Sequence, residues 1–191
     1  MVDDSARLAD EVRLRWTRNS HDLAADRIGL TGRVTATCFA KDGAVRWCVE
    51  THNLITQVGD QYFAERATGI ASPPGQVTGM KLGTGSTAVA KTGAGAALTT
   101  YLSGSDVAID GGFPASSLSG SSRQIAWQTT WNPGVATTAS TITEAVIVID
   151  ALANATSTAA NTIARALLSG AGAKAAGDTL VVVWNHLALG A

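Results

Sequence analysis

The chain is 191 residues long with a formal net charge of −1, which allows one domain plus an extension and a core that folds without staples. There is no basic stripe to neutralise phosphates and no run of roughly eighteen apolar residues to cross a bilayer as a helix, so nucleic acid and membrane are excluded as partners. Only ten charged side chains fall after residue 66, against about one residue in four in an average soluble domain; net charge keeps proteins apart in solution, so a coat of Ala, Gly, Ser and Thr suits a subunit packed among other subunits.

The first four residues, Met1-Val-Asp-Asp, are acidic and no apolar segment follows them, so no signal peptide is expected and the protein is expected to be made and assembled in a cytoplasm. Residues 5–19 read as an amphipathic helix with Ser5 as its cap and Arg15 and Arg18 near its C-terminal end. Leu8, Val12 and Trp16 are spaced by four and share one face. A second short helix is predicted over residues 20–28, ended by Gly29. One narrow stripe cannot form a core of its own. The predicted N-terminal helical arm, residues 1–31, must therefore dock on its own domain or on a neighbouring molecule, and Leu8, Val12 and Trp16 are the candidate subunit-interface residues.

From Gly32 the pattern changes to strands. GRVTATCFA and AVRWCVET flank Asp42-Gly43, a hairpin signal. Cys38 and Cys48 lie on either side of that turn, and whether they share a face depends on the register. In a reducing cytoplasm two small buried hydrophobes are expected. Asn53 then caps a predicted helix over residues 54–69, with Leu54, Ile55, Val58 and Tyr62 on its apolar face and Gly69 as its stop. Gly59 in its interior costs roughly 1 kcal/mol against Ala.

After Ser72-Pro73-Pro74-Gly75, short strands are predicted at residues 78–83 and 106–110, with a loop over 84–105 between them. Residues 123–131 alternate cleanly, placing Ile125, Trp127, Thr129 and Trp131 on one face. Residues 140–150 alternate after a phase slip near Glu144, and residues 162–168 fit a strand or a helix. Residues 178–189 are apolar on both faces, which marks a central or interface strand. Seven or eight such strands with Gly-rich turns make a single β-sandwich, jelly-roll or Ig-like, over residues 32–191, with one internal helix.

Little in the sequence points to chemistry. His21, His52 and His186 lack metal-ligand spacing, and two cysteines alone make no zinc site. No Gly-x-Ser-x-Gly elbow occurs. Gly83-Thr-Gly85-Ser-Thr follows a strand but lacks the third glycine and the Gly-Lys-Ser/Thr ending of a phosphate loop. Asn154-Ala-Thr156 is a formal glycosylation sequon. Asp106, Asp110, Glu144 and Asp150 show no spacing that defines an acid/base pair. Trp127, Trp131 and Trp184 could stack on sugars, although alternating strands more often bury tryptophan in a core. No catalytic residue, metal or cofactor is expected.

Five phrases in order carry a resemblance: residues 32–69, MKLGTGSTAVAKTGAGAAL, ITEAVIVID, TIARALLS and AAGDTLVVVWNHLAL. Together they resemble a module of tailed-bacteriophage virion proteins, in which a hairpin leads to an N-L-I-T helix, an M-x-L-G-T-G-x-T-A strand and loop, an I-T-E-A strand and a terminal G-D-T-L-x-V-x-W strand. The likeness covers about residues 32–189 and departs at Val146 to Ile149, aliphatic where the module has glycine and an aromatic, and at Ile163-Ala-Arg165, which replaces a leucine form. It implies a non-enzymatic virion component. An arm plus one sandwich fits a homo-oligomeric capsid decoration or cement protein with the major capsid protein as partner. The alternatives are a small tail or tail-fibre attachment protein, whose partners are tail proteins, and a carbohydrate-binding module.

Overall fold

The Asp42-Gly43 signal forms the turn it predicts. Gly43 takes φ +85°, the Asp42 carboxylate accepts from the Ala44 N–H at 3.1 Å, and strands β1 (Gly29–Phe39) and β2 (Val45–His52) pair antiparallel around it. The computed structural model describes residues 29–152 and 157–189. Beyond the hairpin lie β3 (Leu54–Ile55), helix α1 (Gln57–Thr68), β4 (Gly79–Gly83), β5 (Val107–Ala108), β6 (Ala115–Ser119), β7 (Ser122–Trp131), β8 (Glu144–Val148), β9 (Thr162–Leu167) and β10 (Thr179–Leu189). They form two five-stranded antiparallel sheets. Sheet A has the order β2-β1-β10-β7-β6, and sheet B the order β3-β9-β8-β4-β5.

The core lies between the sheets. Val34, Trp131, Leu180, Val182 and Trp184 face inward from sheet A and meet Met80, Leu82, Ile147 and Ile163 of sheet B. β10 is central, between β1 and β7, as its apolar faces imply. Trp127 and Trp184 are cross-strand partners and both are buried, and Trp131 donates its indole N–H to Ser105 O at 2.7 Å.

Several expectations are corrected. β1 opens at Gly29, ahead of Gly32, because β10 is long enough to pair Gly29, Leu30 and Thr31 with Leu189, Ala188 and Leu187. Leu54 and Ile55 do not open the helix. They pair with Arg165 and Ala164 of β9, and Thr56, not Asn53, is the cap, its Oγ1 accepting from Gly59 N at 3.0 Å. Gly69 does stop the helix, with φ +68°. The ambiguous segment at 162–168 is a strand, held between β3 and β8. Cys38 lies opposite Trp47, and Cys48 opposite Thr37. The two thiols thus point to opposite faces, Cys38 buried and Cys48 exposed, and both are free. Residues 1–28 of the predicted arm, including Leu8, Val12 and Trp16, lie outside the described residues, as does the sequon at 154–156.

Gly59 is explained by contact rather than by flexibility. A Cβ there would stand 2.1 Å from Ile163 O and 2.7 Å from Ile55 Cγ2. The helix packs its backbone directly on β9. Ala for Gly in a helix interior ordinarily gains about 0.5–1 kcal/mol. Gly59→Ala is expected to reverse that sign and lower the urea midpoint, with an unchanged or higher midpoint contradicting the close approach.

Candidate functional site

The outward face of sheet A is built from one side of each strand. Antiparallel register aligns Thr35 with Val183 and Gln128, Thr37 with Val181 and Thr130, Arg33 with Asn185 and Ala126, and Thr31 with Leu187 and Gln124. Val181, Val183 and Leu187 form a half-buried apolar stripe along the middle strand. Around it stand hydroxyls and amides, with Gln124 Nε2 donating to Asn185 Oδ1 at 3.1 Å. Arg33 of β1 and Glu50 of β2 neutralise each other, Arg33 Nη1 reaching Glu50 Oε1 at 2.5 Å. A shallow hollow of about 360 Å³ sits at one end, lined by Thr31, Arg33, His52, Gln124, Asn185 and Leu187 among others. This is a broad, nearly uncharged surface with hydrogen-bonding capacity.

Sheet B is the reverse, since its outer face carries charge and is covered. Lys81, Val146 and Arg165 are cross-strand neighbours in one row, and Gly83 and Glu144 in the next. The segment between β4 and β5 folds over them and seals a second apolar cluster of Leu98, Val146 and Val148. Glu144 and Arg165 are both fully buried. The guanidinium donates to Glu144 Oε2 through Nη2 at 2.6 Å and Nε at 3.1 Å. Its Nη1 reaches Gly95 O at 3.1 Å. Backbone N–H groups of Gly85, Thr99 and Thr100 donate to Glu144 Oε1 at 2.9, 3.1 and 3.0 Å. Lys81 Nζ meets Asp150 Oδ2 at 3.1 Å nearby.

A third buried polar group ties the start of β10 to the hairpin. Asp178 accepts from Arg46 Nε and from Ala175 N, both at 2.9 Å, and the Cys38 thiol lies 3.9 Å away. Burial acts to raise the Asp178 carboxyl, and the Ala175 N–H and Arg46 outweigh it, holding it below its ordinary value. Burial first, and Asp178 second, push the Cys38 thiol up, which makes it a poorer nucleophile at neutral pH. Burial lowers the Lys174 ammonium, which donates to Asn132 O at 3.0 Å.

The residues singled out in the sequence are therefore scattered, and most are spent on internal partners. Asp106 accepts from the Tyr101 hydroxyl, and Asp110 from Thr130 Oγ1 at 2.7 Å and Gln128 Nε2 at 3.0 Å. His52 is exposed; His186 is buried beside Asn53, Phe63 and Trp184. Trp127, Trp131 and Trp184 line the core and not a sugar-binding groove. Among the described residues no three His, Cys, Asp or Glu side chains converge on a metal-sized site, and no helix is long and apolar enough to cross a membrane. Sequence reasoning missed the Glu144–Arg165 pair. Its one signal was two opposite charges standing alone in otherwise apolar strands. No family model, curated protein or solved structure matches the chain.

Two expectations follow. Removing one partner of a buried ion pair typically costs about 3–5 kcal/mol, because the other charge is left uncompensated. Glu144→Ala or Arg165→Ala should each lose that much in denaturant unfolding, and the double variant should lose less than the sum. Strict additivity would show that the two side chains are not coupled. The second concerns His186, whose imidazole burial pushes down to about 4 from an unfolded value near 6.5. The unfolded chain takes up this proton first, so this contribution is intact above pH 6.5 and is lost as pH falls towards 4. It amounts to roughly 3 kcal/mol. His186→Gln should flatten that part of the stability profile; parallel profiles for variant and wild type would contradict it.

Proposed function

We propose that the chain is a structural virion subunit of a tailed bacteriophage, and specifically a capsid decoration or cement protein. The observation that carries this reading is the distribution of charge. Lys81, Lys91, Asp106, Asp110, Glu144, Asp150, Arg165, Lys174 and Asp178 each bond to another group of the chain, and sheet A presents a wide face whose charges, Arg33 and Glu50, are paired with each other. An enzyme gathers its working titratable groups in an open cleft; here the buried charged groups lie under a loop or inside the core. Small neutral side chains let neighbouring backbones approach closely.

The module resemblance supports the same reading through its geometry. Gly85 of the MKLGTG phrase, Glu144 of ITEA and Arg165 of TIARALLS converge on one buried ion pair. The GDTLVVVW phrase supplies the central strand of sheet A. Phrases far apart in sequence thus serve one architecture, as members of a single module would. In this proposal the sandwich is of jelly-roll or Ig-like kind, and the arm with Leu8, Val12 and Trp16 is a second contact, on a neighbouring capsid or decoration subunit. Two linked contacts bind far more tightly than either alone when geometry allows both.

Copy number tests the reading. Quantitative mass spectrometry of purified virions, normalised to the major capsid protein, should give a ratio near one or a simple fraction of it, as shell symmetry requires. A handful of copies per particle would place the chain in the tail, and absence from the particle would end the virion reading.

A further inference from the structure

We propose that strand β6 is a homodimer interface: the β6 edges of two copies pair antiparallel about a two-fold axis at Ser117, joining the two A sheets into one ten-stranded sheet. This follows from the sheet alone and stands or falls independently of the virion reading.

The two sheets have four edges among the described residues, and three are blunted. β3 and β5 are two residues long each. β2 is long, but it carries Arg46 and Glu50, and its register with β1 shifts after Cys38. Charges, irregular register and short length are the devices by which sheets avoid pairing with other chains. β6 has none of them. Its five residues, Ala115-Ser-Ser-Leu-Ser119, are all exposed, uncharged and regularly paired to β7. Leu118 is 68% exposed, more than any other large hydrophobic residue among those described. An edge left open beside a defended one in the same sheet is one built to be paired.

The backbone sets the register. Gly120, with φ +61°, and Ser121 form a two-residue hairpin turn closed by Ser119 and Ser122. The closing pair of such a hairpin exchanges hydrogen bonds, and alternation then aims the N–H and C=O groups of Ser116 and Leu118 away from β7. Pro114, which has no N–H, ends the ladder on one side and Gly120 on the other. Ser117 is equidistant from both. With Ser117 on the axis, Ser116 of each copy lies opposite Leu118 of the other, so the outward-aimed groups of each strand meet those of its mate. The two Leu118 side chains become diagonal neighbours, within reach of each other. β6 itself carries no charge, so no like charges pair across the seam, the nearest being Arg123 on the neighbouring strand opposite Leu118; a second copy is thus a complementary occupant, and the nearly uncharged outer faces become continuous.

The test uses the full chain with Cys48→Ser, which removes its exposed thiol. At the axis, Ser117 residues form a non-hydrogen-bonded pair with Cα atoms about 4.5 Å apart, inside the range a disulfide spans. Ser117→Cys should cross-link to a covalent dimer when diamide is added as oxidant. Ser119→Cys, about four residues out of register with its copy, should cross-link far less. Separately, Leu118→Lys should raise the dimer dissociation constant roughly tenfold or more by placing a charge on the edge, with the melting temperature of the monomer unchanged. Light scattering that shows a monomer at every concentration overturns the proposal. So does cross-linking through Ser119→Cys as efficient as through Ser117→Cys, or a Leu118→Lys dimer as tight as wild type.

Discussion

The buried ion pair between Glu144 and Arg165 is the constraint on which the rest of the structure depends. Two charges removed from water cost several kcal/mol each, and mutual attraction offsets that only when the remaining hydrogen-bonding capacity is also met. Here it is met. The carboxylate accepts from the guanidinium and from three backbone N–H groups, and the guanidinium's remaining edge reaches Gly95 O. Those backbone donors and the acceptor belong to the long segment between β4 and β5. The pair therefore fixes a stretch that has almost no regular structure of its own, and that stretch covers sheet B. Were the segment to leave, both charges would lose partners and the cluster of Leu98, Val146 and Val148 would meet water.

The same cradle explains the glycines that resemble a phosphate loop. A Cβ on Gly85 would lie 1.9 Å from Thr99 Oγ1 and 2.5 Å from Glu144 Oε1, and one on Gly83 would lie 2.5 Å from the same oxygen. Glycine is needed because backbone must approach an anion closely, which is the reason phosphate loops use it. The anion in this fold is part of the chain. The backbone N–H groups that a phosphate loop turns to its ligand are here taken up by Glu144.

How much of this the sequence disclosed depended on how many faces of a segment are buried. β7 was legible through its single apolar face, which puts Trp127 and Trp131 in phase, and β10 through apolar residues on both faces, with Leu180, Val182 and Trp184 on the core side. β8 was read as a strand only with a phase slip, and β9 stayed between strand and helix, because both have two covered faces: in β8, Ala145 and Ile147 pack in the main core, Val146 and Val148 under the β4–β5 segment. The phase slip read near Glu144 is the trace of that second burial. The helix start was misplaced for a related reason, since Leu54 and Ile55 suit a helix face and a buried strand equally, and pairing with β9 decides between them. β6 gave no signal, as exposed Ser and Ala have no hydrophobic period. The burial of Cys38 and exposure of Cys48 turned on a register that only the folded hairpin defines. The candidate interface residues of the arm, which the sequence singled out by spacing alone, lie outside the described residues.

These features fit one division of labour. Sheet B takes the charged residues inward, where satisfied hydrogen bonds make them specific determinants of a single arrangement. Sheet A turns mostly uncharged residues outward, with Arg33 paired to Glu50, and such a face is poor at keeping molecules apart. A neutral surface of Thr, Gln, Asn and Val offers neither long-range attraction nor repulsion, so recognition on it must come from shape, hydrogen bonds and apolar contact at short range. Those forces act only when surfaces match closely, which small side chains and a regular sheet permit. The buried charges of sheet B thus hold the β4–β5 segment in place, and the outer face of sheet A is left to contact at short range.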